Sequence, residues 1–355
     1  MNFFVADPDW GVWIIAYFYL GGIAAGSYFI AILIEWFGAA EDRPLARIAY
    51  WIAFPLTVLC GLALIVDLHR PERFWHMLLK SEVTKAAFAE GFPFTAAGWQ
   101  LAVHAPAFKY WSPMSAGSWG LTVFGACTFA SFLAAVWPER WPGRWLEARW
   151  PHRILQTIGC AAGFFIAAYT GALLNATNQP MWGDTVWLAP LFLVSAASTS
   201  LATLGLIAWW KNIGTPTARA RLEDAEPLAL GLELIVLGAF VASLGDNLVP
   251  VLQTVRGNIL IFGSLVFAVL LPLLLHARIG RRRWWGIPGA AACALLGGLL
   301  LRFGAVTTPS ELLRRGPSTL VSFAPEEGRH VGERGADIGN HGDVGKPRSK
   351  LPKEP

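Results

Sequence analysis

Eight apolar runs, each long enough to cross a lipid bilayer, constrain this chain more than any other feature of its sequence. A helix needs roughly 20 apolar residues to span a hydrocarbon core of about 30 Å. Backbone polar groups inside lipid must be satisfied within the chain, so repeated apolar runs predict helices. Only 15% of the residues are charged, whereas a soluble domain carries about a quarter. We therefore predict an all-α polytopic membrane protein with eight transmembrane helices.

The predicted spans are separated by prolines, glycines and charged residues. They cover residues 11–36, 45–66, 116–137, 153–174, 186–210, 228–246, 258–276 and 285–304. We predict a membrane domain over residues 1–304 made of two four-helix bundles, one over about 11–174 and one over about 186–304. Residues 305–355 are polar and rich in glycine, proline and charge, which predicts a disordered tail.

A faint repeat accompanies the two bundles. "WIIAYFYLGGIAAG" from Trp13 and "WLAPLFLVSAASTS" from Trp187 both have phenylalanine five residues after tryptophan, followed by small residues. Both spans enter the membrane from the same side, so a duplication would be parallel. Small residues also let helices pack closely, and packing alone explains the pattern equally well.

Basic residues in the connections predict the orientation of the chain, because they favour the cytoplasmic side. Connections after odd-numbered spans, with their flanks, carry 13 basic residues, and connections after even-numbered spans carry six. The 13 are Arg43, Arg47, Arg140, Arg144, Arg149, Arg153, Lys211, Arg219, Arg221, Arg278, Arg281, Arg282 and Arg283, and the six are Arg70, Arg73, Lys80, Lys85, Lys109 and Arg256. Both termini are therefore predicted on the periplasmic face of a bacterial or archaeal inner membrane.

The connection after the second span opens with "DLHRPERFWHML", residues 67–78, which ends an apolar run abruptly. Pro71 suits the first turn of a short helix, and the apolar residues that follow it have helical spacing. This pattern predicts an amphipathic helix in the membrane interface, with Arg73 and Lys80 facing lipid phosphate.

Asp67 and His69 lie where the second span leaves the hydrocarbon. An aspartate is costly at that depth unless it is paired or hydrated. Solvation of the helix end or an Asp67–Arg70 pair is one interpretation. The other is a pair that exchanges protons beside a hydrophobic ligand, because histidine titrates near neutrality and a carboxylate accepts a proton.

Further polar groups are predicted at the same membrane face. Tyr17 lies one turn inside the first span and Tyr169 about one turn inside the fourth, while "SPMSAGSW", ending at Trp119, opens the third. A single interfacial tyrosine is commonplace. Together with Asp67, His69 and Arg70, these residues predict a pocket for an amphipathic ring with a long apolar tail, such as a quinone.

Two acids fall in the sixth predicted span, Glu233 near its start and Asp246 at its end. Acids inside a membrane span are candidates for proton or ion paths. The two are separated by roughly 20 Å along a helix. Snorkelling or capping is the alternative interpretation, above all for Asp246.

Cysteine and histidine positions bear on the cofactors of this chain. The four cysteines lie in apolar segments and form no C-x-x-C pair, so no iron–sulfur cluster is predicted here. Bound haem needs histidine pairs facing each other inside spans. Only His152 and His276 share a membrane level, and neither is deep, so haem is not predicted either. The isoelectric point near 9 reflects loop arginines and does not indicate nucleic-acid binding.

The chain resembles the NrfD/polysulfide reductase (PsrC-like) family of integral membrane subunits. The matching pieces are "YFYLGGIAAG", "DLHRPERFWHML", "SPMSAGSWG", "YTGALLNATNQPMWGD" and "WLAPLFLVSA". The resemblance implies eight helices, periplasmic termini and a haem-free site for menaquinone or ubiquinone near the periplasmic face. It also implies a docked ferredoxin-like iron–sulfur subunit, which is commonly connected to a molybdopterin catalytic subunit.

The same resemblance assigns individual positions. Tyr169 falls where a quinone-contacting tyrosine lies in the polysulfide reductase member, and Asp67 or His69 corresponds to its acidic position after the second span. Tyr17 and Trp13 take the places of a histidine and an asparagine, so the contacts to the quinone ring differ in this chain. The residues proposed for the inner proton path of that member do not align with equivalent residues in this chain. Glu233 is therefore a candidate only because it is an acid inside a predicted span.

These observations predict a quinone-reactive membrane anchor of a multi-subunit respiratory oxidoreductase, which is not a complete enzyme alone. Asp67 and His69 are expected to exchange protons beside the quinone. A proton or ion carrier using Glu233 and Asp246 is the alternative from the transporter class. A purely structural anchor, in which electrons never enter this subunit, is the third hypothesis.

Overall fold

The computed structural model describes residues 10–68, 70–109, 111–140, 143, 149–177, 179–277 and 285–314. Eight long apolar helices, α1 to α8, lie within these ranges and correspond in order to the eight predicted spans. They are α1 Val12–Phe37, α2 Arg43–Asp67, α3 Pro113–Val136, α4 Arg149–Asn175, α5 Leu188–Lys211, α6 Pro216–Ser243, α7 Val255–His276 and α8 Gly286–Arg314. The prediction of an all-α polytopic membrane protein is confirmed.

The helices pack as two four-helix bundles. In the first bundle, α1 and α3 each contact both α2 and α4. In the second bundle, α5 and α7 each contact both α6 and α8. The bundles meet where α1 packs on α5 and α8, and where α4 packs on α5. Helix α1 is thus the central element, shared between the first bundle and the interface.

Small residues let α1 take this central position. Gly22 and Gly26 face α5, and a Cβ atom added at Gly26 would overlap the side chain of Ser200. The hydroxyl of Ser200 in turn lies 3.1 Å from the carbonyl oxygen of Ile23. Close backbone approach of this kind is how membrane helices associate when lipid supplies no hydrophobic drive between them.

Two helices extend past their predicted bounds. Helix α6 begins at Pro216, where the prediction had 228, because the Thr215 hydroxyl caps the backbone N–H of Ala218 at 3.1 Å. Helix α8 continues to Arg314, past the predicted end at 304. The Glu311 carboxylate accepts the first backbone N–H groups of α7, so the start of the predicted tail is helical and caps a neighbour. Residues 315–355 lie outside the described residues.

Helix α7 is wound as a π-helix over Ile259–Leu270. Two glycines of α8 face this stretch: a Cβ added at Gly297 would overlap the backbone of Ala268, and one at Gly304 would overlap Leu260. The two glycines are seven residues apart, on one face of α8. The wider π-helical backbone and the missing side chains therefore allow α7 and α8 to pack in direct contact.

The connection between α2 and α3 folds over one end of the first bundle. It contains a 3-10 helix, Pro71–Met77, and two short α-helices, Ser81–Ala89 and Ala96–Ala102. An antiparallel bridge joins Leu79 to Pro106. The predicted interfacial helix is present as the tighter 3-10 form, which is common in short connecting pieces. We refer to residues 70–112 as the cap.

The connection between α4 and α5 seals the bundle interface on the same side as the cap. Trp182 is fully buried and donates its indole N–H to the carbonyl oxygen of Ala305 at 2.6 Å. The Asp184 carboxylate accepts the backbone N–H of Met181, whose φ is 72°. Residues 179–184, "QPMWGD", therefore pack between the two bundles.

Candidate functional site

Tyr17 and Trp13 lie one helical turn apart on α1, but their surroundings differ. Tyr17 is buried, with 3% of its surface exposed, whereas Trp13 is 51% exposed. A Cβ atom added at Gly21 would lie 3.8 Å from the Tyr17 ring, 3.6 Å from the Cys60 sulfur and 3.9 Å from Ile166. The Tyr17 ring therefore lies where α1, α2 and α4 converge, at the capped end of the bundle.

Tyr169 on α4 lies beside the start of α3. Its hydroxyl donates a hydrogen bond of 2.7 Å to the carbonyl oxygen of Pro113, and its ring stacks on Phe165 at 5.3 Å. Gly117 leaves room for the phenol, because a Cβ atom there would overlap it. Proline in the first turn of α3 leaves helix geometry undisturbed. Tyr169 is thus fixed by α3 rather than mobile at a surface.

Trp119 and Ser115 attach the cap to α3. The Trp119 indole N–H donates to the Ala107 carbonyl oxygen at 3.2 Å, and the Ser115 hydroxyl donates to the same oxygen at 3.4 Å. A cleft of about 600 Å³ opens beside this junction, with His76 and Lys80 in its lining. The cleft is a surface opening between the cap and the outer end of α3.

Asp67, Arg70 and His69 follow one another at the end of α2. Asp67 is the last residue of the helix and is half-buried, and Arg70 is exposed. His69 lies outside the described residues. The structure thus places Asp67 and Arg70 at the same end of the first bundle as Tyr17 and Tyr169.

The residues around Tyr17 fit the polar ring of a quinone in their chemistry. The donors of Tyr169 and Trp119 are already used by backbone carbonyls. The Tyr17 hydroxyl has no hydrogen-bond partner among the described residues. Within the part of the chain that the structure describes, its donor is therefore available to a ligand oxygen. Aromatic and small side chains around it suit an apolar tail.

A second polar centre lies at the interface of the two bundles. Glu233 on α6 and Arg302 on α8 are each 1% exposed. The Ser198 hydroxyl donates to the Glu233 carboxylate at 2.5 Å, and Arg302 donates to the Ser195 hydroxyl at 2.9 Å. The two serines are one turn apart on α5, so they connect the carboxylate and the guanidinium.

Arg302 also joins this centre to α1. Its Nε donates to the carbonyl oxygen of Phe18 at 3.3 Å, next to Tyr17 in the sequence. The thiol of Cys60 lies 3.7 Å from the carbonyl oxygen of Tyr17. Gly22 leaves the space for the guanidinium, since an added Cβ would lie 2.9 Å from its Nη2. The buried arginine therefore contacts α1 at Phe18, the residue next to Tyr17.

Sequence reasoning missed Arg302, although an arginine inside an apolar span is a sufficient signal by itself. It also named Glu233 and Asp246, at opposite ends of the sixth predicted span, as candidates for a proton or ion path. Asp246 lies exposed in the 3-10 turn Gly245–Asn247, beyond the end of α6. The deeper acid has its polar partners on α5, which the sequence spacing along α6 does not reveal.

The two histidines predicted at one membrane level belong to different bundles. His152 Nε2 lies 2.7 Å from Glu35 in the first bundle. His276 Nε2 lies 3.3 Å from Glu226 in the second. Each imidazole therefore faces a carboxylate of its own bundle.

Known proteins share both the overall pattern and parts of this sequence. The family model described as "Polysulphide reductase, NrfD" matches residues 5–309. A selenate reductase subunit of Mesobacillus selenatarsenatis is 32% identical over 80 residues, 22% of this chain and 18% of that protein. A polysulfide reductase polypeptide of Wolinella succinogenes is 41% identical over 71 residues, 19% of this chain and 22% of that protein. The matched stretches thus span about a fifth of each relative.

Proposed function

We propose, because this chain belongs to the NrfD (polysulphide reductase) family, that it is the quinone- and quinol-reactive membrane subunit of a respiratory oxidoreductase complex. The Tyr17 hydroxyl, which forms no hydrogen bond with the described residues where α1, α2 and α4 converge, is the observation that carries this proposal. The names of the two relatives, components of a selenate and a polysulfide reductase, support a multi-subunit assembly. When bound, menaquinone or ubiquinone supplies two-electron, two-proton chemistry at its ring.

The residues of the pocket have distinct proposed roles. Tyr17 donates a hydrogen bond to a ring oxygen, and Tyr169, held by the Pro113 carbonyl, forms the opposite aromatic wall. Trp13 and Trp119 flank the opening, and Arg70 contributes positive charge at the surface. Asp67 and His69 exchange protons with water outside the membrane, since the half-buried end of α2 is accessible to it.

The electron partner is proposed to be a ferredoxin-like iron–sulfur subunit docked on the cap. The cap presents exposed polar and aromatic side chains beside the cleft at His76 and Lys80. A molybdopterin subunit then carries the catalytic site, and this chain alone turns over no substrate. The cap and both termini are proposed to lie on the periplasmic side of a bacterial or archaeal inner membrane, in keeping with the basic connections at the opposite end.

Turnover of the purified complex with quinol tests the site. Tyr169→Phe removes the hydrogen bond to Pro113, and Asp67→Asn removes a titratable carboxylate. We expect each to lower quinol-coupled turnover about tenfold or more, with unchanged assembly and unchanged reduction of the iron–sulfur partner by a soluble dye. Glu139→Gln, an exposed acid in the α3–α4 connection, is the control and should retain wild-type turnover. Normal turnover in both test variants would reject the site.

Proton translocation is a second candidate function, favoured by the buried Glu233–Arg302 centre. Isolated ionisable groups inside a membrane are costly and usually functional. If this chain is a carrier by itself, liposomes containing it alone will show proton or ion flux that Glu233→Gln abolishes. A purely structural anchor would instead fail to bind a quinone analogue in the purified complex.

A further inference from the structure

A cavity of about 320 Å³ lies at the end of the first bundle opposite the cap. It is enclosed by the last turns of α1 and α3 and by the first turns of α2 and α4. The quinone proposal uses none of its residues. We refer to it as the basic cavity, because three arginines (Arg43, Arg47 and Arg153) contribute to its lining.

The floor of the basic cavity is a polar network centred on Gln156. Glu35 forms an ion pair with His152 and accepts a hydrogen bond from the Gln156 amide. The same amide nitrogen lies 3.1 Å from the Tyr50 hydroxyl, and the Trp36 indole N–H donates to the Gln156 carbonyl oxygen at 2.7 Å. The single acid of the cavity is thus already paired within the network, so it adds little repulsion toward an anion.

The rim of the cavity carries the unused charge. Arg43 and Arg153 are exposed, and their guanidinium groups form no hydrogen bond or ion pair with any described residue. Guanidinium groups bind phosphate oxygens in a bidentate manner. Arg43 is also the first residue of α2, where the helix dipole favours a negative group. The rim therefore offers an anion two cations that bond none of the described residues.

Apolar surface continues from this rim along α4. Ile154 is 56% exposed and Ile158, one turn further into the membrane, is 47% exposed. Both follow Arg153 on the outside of the bundle, where acyl chains lie. A ligand with a phosphate at the cavity and hydrocarbon along α4 is an anionic phospholipid, and a free phosphate would leave this apolar strip unused.

We propose that the basic cavity binds the headgroup phosphate of an anionic phospholipid. The lipid joins the first turns of α2 and α4 through Arg43 and Arg153, while its acyl chains cover Ile154 and Ile158. Basic pockets between helices on the cytoplasmic side are a recurring form of lipid recognition. This binding is independent of the quinone site, at the opposite end of the bundle.

The test measures lipid retention and thermal stability of the purified full-length protein. Phosphatidylglycerol is added to protein in a neutral detergent, with phosphatidylcholine and inorganic phosphate as separate additions. We expect phosphatidylglycerol to raise the Tm of the wild-type protein and to be retained in native mass spectra. The double variant Arg43→Gln/Arg153→Gln should bind it at least tenfold more weakly. Arg221→Gln, an exposed arginine of α6, is the matched control and should behave as wild type.

Two results would overturn the proposal. One is equal stabilisation of the double variant and the wild type by phosphatidylglycerol, which would assign the effect to the general membrane surface. The other is equal stabilisation by inorganic phosphate at the same concentration, which would replace the lipid by a free anion. Since both arginines are exposed, the double variant should fold, and its Tm without added lipid verifies this.

Discussion

The two ends of the first bundle use the same kind of residue in opposite ways. At the end away from the cap, the Tyr28 hydroxyl lies 2.9 Å from the Ser131 hydroxyl, and the Tyr50 hydroxyl lies 3.1 Å from the Gln156 amide. At the capped end, the Tyr17 hydroxyl has no partner among the described residues. Tyr17 and Tyr28 are three turns apart on the same helix, and both are buried.

The difference separates a scaffold from the proposed binding site. Buried polar groups in proteins are almost always hydrogen-bonded, and a fully satisfied network rigidifies the helices that share it. The bonds among Glu35, Tyr50 and Gln156 join α1, α2 and α4, and the Tyr28–Ser131 bond joins α1 to α3, so together they hold four helices. The Tyr17 hydroxyl, at the other end of the same bundle, bonds no described residue. It therefore adds no such stabilisation and is available to a ligand.

The largest loss of stability is expected when Gln156, the central residue of this network, is replaced. Gln156 is 1% exposed and bonds Trp36, Glu35 and Tyr50. Gln156→Leu should destabilise the protein by about 2–4 kcal/mol, because three interhelical bonds are lost and the Tyr50 hydroxyl stays buried. The measurement is the Tm of the purified protein in detergent.

The control for this prediction is Gln100→Leu, an exposed glutamine of the cap, which should leave the Tm unchanged. Protein with Gln156→Leu that still folds should keep most of its quinol-coupled turnover, since the site is at the opposite end. An unchanged Tm in this variant would remove the distinction between the two ends.

A smaller loss of stability with a larger loss of function is expected at Gly117. Its missing side chain leaves room for the Tyr169 phenol. Gly117→Ala should displace that ring, costing about 1–3 kcal/mol of overpacking and lowering quinol-coupled turnover. Gly125→Ala is the matched control two turns along α3, where an added Cβ would meet only Thr57 at 3.7 Å. If the two variants behave alike, the fixed position of Tyr169 is irrelevant to turnover.

The sequence predicts those features of the structure that depend only on position along the chain. Spans follow from apolar length alone, so all eight helices were predicted, and depth in the membrane placed Tyr17 and Tyr169 at one face. Side-chain partners depend on how each helix is rotated about its axis, which the sequence does not encode locally. The hydrogen bonds of Glu233 with Ser198 and of Arg302 with Ser195, which join α6 and α8 to α5, were therefore not predicted.

The finest test of the comparison replaces one tyrosine hydroxyl at each end. Tyr28→Phe should cost about 1 kcal/mol, because the Ser131 hydroxyl loses its partner, and should leave turnover per folded molecule unchanged. Tyr17→Phe should leave the Tm unchanged, because its hydroxyl bonds no described residue. It should instead weaken quinol turnover about three- to tenfold, the equivalent of one hydrogen bond. Tm measurements and quinol titrations on both variants measure the two effects. Tyr28→Phe should change only the stability, and Tyr17→Phe only the turnover. A Tyr17→Phe protein that loses stability but keeps its turnover would show that this hydroxyl belongs to the scaffold after all.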